Sequence, residues 1–111
     1  MPTANTFKEK RKHERIDYDA SVELGFDDGE RHAARIVNIS LGGVFLKADS
    51  QPEFGSRVHL YFELPRVDDL CEIPCLVRWI KKDRGIGLQF EHLRAIETWA
   101  ISKLLRDLKE D

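Results

Sequence analysis

Apolar and polar residues alternate along most of the chain, a pattern typical of strands that bury one face. In the clearest case, Arg57 to Leu64, every second residue is apolar, and Pro65 follows. The first predicted strand begins near Ala20, and the others cover Arg31–Ile39, Gly43–Ala48, Arg57–Leu64, Glu72–Lys82 and Gly85–Glu91. Six short strands joined by turns predict a mainly β fold, an antiparallel barrel or sandwich over about residues 18–91.

The C-terminal segment has a different period. Apolar residues recur every three or four positions between about Leu93 and Lys109, which predicts a helix with one apolar stripe. The stripe consists of Leu93, Ile96, Ala100, Leu104 and Leu108, with Ile101 and Leu105 beside it. We expect this stripe to cover either an open end of the barrel or a second subunit, so a homodimer is one of the two expected arrangements.

The composition indicates one soluble domain. The chain has 111 residues, of which 34% are charged, and this length supports one core but not two. No apolar run reaches the roughly 18 residues that a membrane helix needs, and charges stand where a signal peptide would be apolar. We therefore expect a cytoplasmic protein without membrane insertion, with residues 1–9 as a flexible tail and residues 10–111 as the domain.

Charge is distributed unevenly along the chain. The net charge is −2, but residues 1–15 carry five lysines and arginines against two glutamates, so the remainder is acidic. A basic arm on an acidic body favours a local anionic ligand over a broad nucleic-acid surface.

Neither catalysis nor metal binding is indicated. The sequence has no phosphate-binding GxxxxGK[ST] or GxGxxG, and its paired carboxylates fall in turns, where carboxylates are normally solvated. Cys71 and Cys75 have no second cysteine pair nearby to complete a zinc site. On a strand they would share a face about 13 Å apart, too far for a disulfide. We expect no enzyme activity, no metal and no cofactor, and both cysteines to be ordinary buried residues.

Two motifs carry groups that suit an anionic ligand. The segment KRKHER contains Arg11 and Arg15, whose planar donors suit phosphate oxygens and the O6 and N7 edge of guanine. The segment NISLGG contains Asn38 and Ser40 on one strand face, then two glycines that would turn the chain and leave its amides uncovered. Each motif also has a plain structural interpretation: a solvated basic leader, and a strand that ends in an Asx or Ser turn.

Together the two motifs resemble those of the PilZ domain family, the bacterial receptors for cyclic di-GMP. The family pattern is RxxxR in an N-terminal leader, followed further along the chain by [D/N]xSxxG at a strand end. RKHER and NISLGG match both motifs in order, and the hairpin CLVRWIKKDRGIGLQF looks like the family's closing strands. The resemblance spans about Lys10 to Glu91, and the family's helix corresponds to the segment predicted over about residues 93–109.

The resemblance implies a six-stranded antiparallel PilZ-type barrel with a C-terminal helix and a flexible leader over residues 10–16. It also implies a non-catalytic receptor that binds cyclic di-GMP and changes conformation to regulate an unidentified downstream protein. The expected ligand-binding residues are Arg11, Arg15, Asn38, Ser40 and Gly43, and the secondary candidates are Lys10, Gly42 and Trp79.

Two of the secondary candidates raise separate questions. In this family the residue before RxxxR influences whether one ligand or an intercalated pair binds, and Lys10 favours the pair because a long cation can meet additional phosphates. Trp79 could stack near the ligand, but its alternation with Ile73, Cys75 and Val77 predicts a core position instead.

Two other functions are compatible with the sequence. The chain could be a protein-interaction adaptor that has the PilZ fold and little affinity for the ligand. A small basic-armed barrel could also bind single-stranded nucleic acid, but such proteins interleave exposed aromatics with cations, and most aromatics here fall at inward-facing positions.

Overall fold

Six antiparallel strands close into a barrel in the computed structural model of the protein, which describes residues 14–81 and 85–110. The strands are β1 (Ile16–Gly25), β2 (Arg31–Ile39), β3 (Gly43–Ala48), β4 (Arg57–Phe62), β5 (Cys71–Lys81) and β6 (Gly85–Phe90), and helix α1 (Ala95–Glu110) follows. Around the barrel the order is β1-β2-β3-β6-β5-β4, and β4 pairs with β1 to close it. The predicted fold class, a six-stranded barrel with a C-terminal helix, is confirmed.

Alternate side chains of the six strands fill the barrel. Leu24, Leu46, Leu60 and Ile73 come from four different strands and are completely buried. The alternation that predicted the strands therefore also defines the core, because successive side chains of a strand point to opposite faces.

The two cysteines lie on the inner face of β5. Both are buried and unpaired, which confirms the prediction that they are ordinary core residues. Burial raises the pKa of the Cys71 thiol and that of the Cys75 thiol, because an anionic thiolate loses its hydration there.

Strand β1 begins earlier than the sequence pattern suggested, at Ile16 instead of near Ala20. Its first half alternates half-buried with exposed residues, but the pairing register with β2 shifts between Asp17 and Ala20. The shift and the two exposed carboxylates, Asp17 and Asp19, weaken the apolar signal, although the ladder continues to the pair Ile16 and Ile39.

Helix α1 packs on the barrel, which is one of the two arrangements expected for its stripe. Ala100, Ile101 and Leu104 are buried in the same core as the strands. The first turn differs from the prediction, because Ile96 is 43% exposed and Glu97 is buried. No helix in the described part of the chain combines the length and apolarity that crossing a bilayer requires.

Glu97 is buried because it binds the start of the helix. Its carboxylate accepts a hydrogen bond of 2.8 Å from the backbone N–H of Arg94, and two more, of 3.0 and 2.9 Å, from the guanidinium of the same residue. A carboxylate at this position satisfies one of the free N–H groups of the helix N-terminus, which offsets the cost of burying its charge.

The end of the helix contacts the start of the described chain. Lys109 forms an ion pair of 2.9 Å with Glu14, which immediately precedes Arg15 of the RxxxR motif. Both side chains are more than half exposed, so this contact alone contributes little stability, at most about 1 kcal/mol.

Candidate functional site

The pairing of β1 with β2 brings the two sequence motifs together. Ile16 lies opposite Ile39 in the antiparallel ladder, so Arg15 leaves β1 at the level where Ser40 leaves β2. The leader motif precedes β1 and the NISLGG motif ends β2, and an antiparallel pair puts those two points at the same end.

Ser40 organises the turn between β2 and β3. Its Oγ accepts hydrogen bonds from the backbone N–H groups of Gly42, at 3.1 Å, and Gly43, at 3.2 Å, and its own N–H donates to the Gly43 carbonyl. The expectation that these glycine amides are uncovered is therefore wrong, because the serine hydroxyl, which is buried, already occupies them. This is the Ser-turn geometry that was the alternative interpretation of the motif.

Gly43 is required by the contact between strands β3 and β6. A Cβ at this position would overlap the backbone carbonyl oxygen of Leu88 and lie 3.2 Å from the Cα of Gln89. The close approach observed here is to the neighbouring strand, and a close approach to a ligand remains a prediction.

Trp79 points outward, which corrects the prediction that it belongs to the core. The ladder between β5 and β6 pairs Val77 with Leu88 and then Trp79 with Gly87, so Arg78 is an extra residue that forms a bulge. The bulge reverses the alternation, and Trp79 is 59% exposed. Its indole occupies the space beside Gly87, where a Cβ would lie 2.6 Å from Trp79 Cδ1.

A cavity of about 560 Å³ lies beside the Ser40 turn, within the usual size range of small-molecule sites. Five of the predicted residues line it: Arg15, Ser40, Gly42, Gly43 and Trp79. It is also lined by residues that the sequence analysis did not propose, namely Leu41, Arg78, Leu88, Gln89, Phe90, Glu91, His92 and Leu93.

The other predicted residues do not line this cavity. Asn38 lies on β2, where it pairs with Asp17 of β1 and with Phe45 of β3. A bulge at Val37 interrupts the inward and outward alternation of β2 just before it. Its Oδ1 is buried and has no hydrogen-bond partner among residues 14–81 and 85–110. Arg11 and Lys10 lie outside the described residues.

The cavity contains two arginines without a carboxylate partner among the described residues. Five other arginines form ion pairs with aspartate or glutamate: Arg31, Arg35, Arg57, Arg66 and Arg94. By contrast, Arg78 donates only to the neutral amide of Gln89, at 2.6 Å, and Arg15 makes no hydrogen bond within the described part. Uncompensated guanidinium groups at a concave surface favour an anionic ligand.

Arg78 and Glu91 are the charged residues of the cavity that sequence reasoning missed. Arg78 appeared to be an ordinary outward residue of a strand, and only the bulge brings it and Trp79 to the same side. Glu91 follows β6 directly, and Arg57 holds it by Nε contacts of 2.9 and 3.2 Å to its two carboxylate oxygens.

The closed six-stranded barrel and its C-terminal helix define a small β-barrel of the PilZ type. The PilZ domain model matches residues 9–108, so the chain belongs to the PilZ domain family. No sequence match to a curated protein was found.

Several solved structures share this fold. The inhibitor of motility MotI/DgrA of Bacillus subtilis is 21% identical, with a TM-score of 0.75, over 91% of this chain and 52% of its own. The PilZ domain of Escherichia coli YcgR with c-di-GMP is 13% identical, with a TM-score of 0.68, and the match covers 91% of this chain and 92% of that one. Borreliella burgdorferi PlzA in complex with c-di-GMP is 18% identical, with a TM-score of 0.69, and the match covers 89% of this chain and 42% of that one. The chain thus spans about half the length of MotI/DgrA and less than half of PlzA.

Proposed function

We propose that this protein is a cytoplasmic, non-catalytic receptor for cyclic di-GMP. The observation that carries the proposal is the strand pairing that seats Arg15 at the Ser40 turn, beside a cavity with two uncompensated arginines. Membership of the PilZ family and the presence of c-di-GMP in the YcgR and PlzA structures support the same ligand.

The groups around the cavity match the chemistry of a cyclic purine dinucleotide. Arg15 and Arg78 supply planar donors for phosphate oxygens or for the O6 and N7 edge of guanine. Trp79 supplies an exposed aromatic face on which a base stacks. In this proposal Arg11 reaches the same ligand from the leader, and Lys10 favours an intercalated pair.

Asn38 lies on β2, outside the lining of the cavity, and in this proposal it takes part as a hydrogen-bond acceptor. Its Oδ1 is an acceptor without a partner in the described part of the chain, and leaving a buried acceptor unsatisfied costs about 1–3 kcal/mol. In this proposal a donor that arrives with the ligand, such as a guanine N–H, satisfies this acceptor, and ligand binding then recovers that cost.

In this proposal the RxxxR leader also regulates a downstream protein. A leader that closes over the ligand changes the surface next to the barrel end, and a downstream protein can distinguish the two surfaces. The proposal includes this unidentified downstream protein and a homodimer through the exposed side of α1.

Calorimetric titration with cyclic di-GMP tests the proposal and gives the stoichiometry. Arg15→Ala and Arg11→Ala should each weaken binding by about 2–3 kcal/mol, because each removes charge-assisted hydrogen bonds from a concave site. Arg106→Ala is the matched control, since Arg106 is exposed on α1 and does not line the cavity, and its affinity should equal that of the wild type.

Two results would contradict the proposal. Micromolar or tighter binding that survives both arginine substitutions would mean that the motif is not the site. A flat titration beside a stable complex with another protein would favour the adaptor function, and steeply salt-dependent binding of single strands would favour the nucleic-acid function.

A further inference from the structure

A hydrogen bond between two side chains of the cavity holds Arg78 in place. Arg78 Nη1 donates to Gln89 Oε1 at 2.6 Å, across the pair of strands β5 and β6. Both residues are exposed, and both line the cavity beside the Ser40 turn. The guanidinium is therefore anchored to a neighbour that itself belongs to the cavity wall.

The acceptor in this contact is neutral. The five ion-paired arginines described above each have a carboxylate partner that compensates the charge. A carboxamide oxygen accepts the same hydrogen bond and carries no negative charge. Glu91, the acidic residue of the lining, has both carboxylate oxygens on Arg57 Nε, at 2.9 and 3.2 Å. Within residues 14–81 and 85–110, Arg78 is thus held and keeps its full charge.

The contact also leaves most of the guanidinium available. Arginine has five N–H donors in a fixed plane, and the bond to Gln89 uses one of them. A long, flexible side chain loses rotamer freedom when it binds a ligand, and a side chain that is already held loses less. Gln89 therefore lowers the ordering cost of a contact between Arg78 and an anion.

We infer that Gln89 is a positioning residue, which orients Arg78 towards the anionic groups of the ligand without neutralising it. The inference rests on the proposed function and adds a residue to that site. A glutamate at this position would hold the arginine equally well, but its charge would compete with the ligand for the guanidinium. The neutral amide avoids that competition.

A double-mutant cycle measured by calorimetry with cyclic di-GMP tests the positioning role. Arg78→Ala should weaken binding about 10- to 100-fold, the effect of losing a charge-assisted hydrogen bond. Gln89→Met, which has a similar length and no amide oxygen, should weaken it about 3- to 10-fold, because Arg78 must then be ordered by the ligand. Gln89→Met added to Arg78→Ala should change the affinity by less than about twofold, since Gln89 acts through Arg78.

Gln89→Glu tests the requirement for a neutral acceptor. This variant keeps an oxygen for Arg78, so a purely structural role would leave binding unchanged. We expect binding to weaken at least about 10-fold, because the new carboxylate compensates the arginine and repels phosphate. The matched control is Gln51→Glu, since Gln51 is exposed, donates to the Lys81 carbonyl and does not line the cavity. Its affinity should stay within about twofold of the wild type, and melting temperatures are compared for every variant.

The possible failures are distinguishable. A wild type that does not bind cyclic di-GMP overturns the receptor function and this inference together. If the wild type binds and Arg78→Ala binds equally well, only the inference is overturned. An equal effect of Gln89→Met with and without Arg78 would mean that Gln89 does not act through the arginine. Wild-type affinity in Gln89→Glu would show that a neutral acceptor is not required, and would overturn the inference as well.

Discussion

The bulge at Arg78 turns Trp79 outward, and the glycine opposite it, Gly87, leaves room for the indole. Any side chain on Gly87 would collide with the indole, whose Cγ lies only 3.1 Å from where a Cβ would be. The absence of a side chain lets one face of the indole lie against the backbone of β6, while the other face stays open to solvent. The open face is the part that a guanine base would cover in the proposed complex.

Tryptophan fluorescence provides a test at this position. Trp79 and Trp99 are the two tryptophans of the chain. In Trp99→Phe the remaining emission comes from Trp79, and we expect cyclic di-GMP to quench it, because the base stacks on the indole. Trp79→Phe is the control, and its emission, which comes from Trp99 on α1, should not change with ligand. Equal changes in both variants would contradict stacking at Trp79.

Among single residues, the motif members were predictable and their partners were not. Arg15, Ser40 and Gly43 were identified from RKHER and NISLGG because each motif states its residue types in order. The role of the Ser40 hydroxyl within its turn was foreseen only as the plain alternative. Arg78 was missed because a bulge, which depends on the register of two strands, decides which way its side chain points.

At the level of elements, the two strands that flank the Ser40 turn were predicted to the residue. Arg31–Ile39 and Gly43–Ala48 have the predicted bounds, since alternation continues up to a glycine turn. The start of β1 was missed, where the register shifts and aspartates occupy the outer face. The face of α1 was correct at Ala100 and Leu104 and wrong at Ile96, because capping by Glu97 sets how the first turn packs.

Two isoleucines of α1 test the observed helix face. Ile101→Ala should lower the free energy of unfolding by about 2–4 kcal/mol, because it leaves a cavity in a completely buried site. Ile96→Ala makes the same chemical change at a position that is 43% exposed, and should cost less than about 1 kcal/mol. Urea unfolding followed by circular dichroism measures both, and equal losses would contradict the helix orientation described here.

For the whole molecule, the closed barrel isolates its centre from solvent. Cys71 and Cys75 lie on β5, between β4 and β6, and each is completely buried. Access to their thiols therefore requires strands to separate, which makes thiol reactivity a measure of opening of the barrel.

Labelling with a thiol reagent at pH 8 should show this protection. Burial raises the pKa of both thiols, so they remain protonated and unreactive at a pH where an exposed cysteine is partly ionised. Unfolding in urea restores the ordinary thiol pKa, and both should then react at once. Rapid labelling of the native protein would contradict a closed barrel at β5.

Thiol labelling in the presence of cyclic di-GMP also tests the proposed function. Cyclic di-GMP at 100 times its dissociation constant should slow labelling through global unfolding by about 100-fold, because it binds only the folded barrel. The Arg15→Ala variant should show little slowing at the same ligand concentration.

The ladder from Ile16 and Ile39 to Gly25 and Arg31 separates the site from the hairpin turn of β1 and β2. That turn, in which Gly29 has a φ of 84°, lies at the opposite end of the hairpin. Residues added there in equal number to both strands lengthen the barrel wall and leave Arg15 level with Ser40. A single residue added to one strand would instead turn every later side chain to the other face. The number of residues between RxxxR and NxSxxG is therefore free to vary as long as the register of this hairpin is kept, so the site sets no fixed length for the intervening sequence.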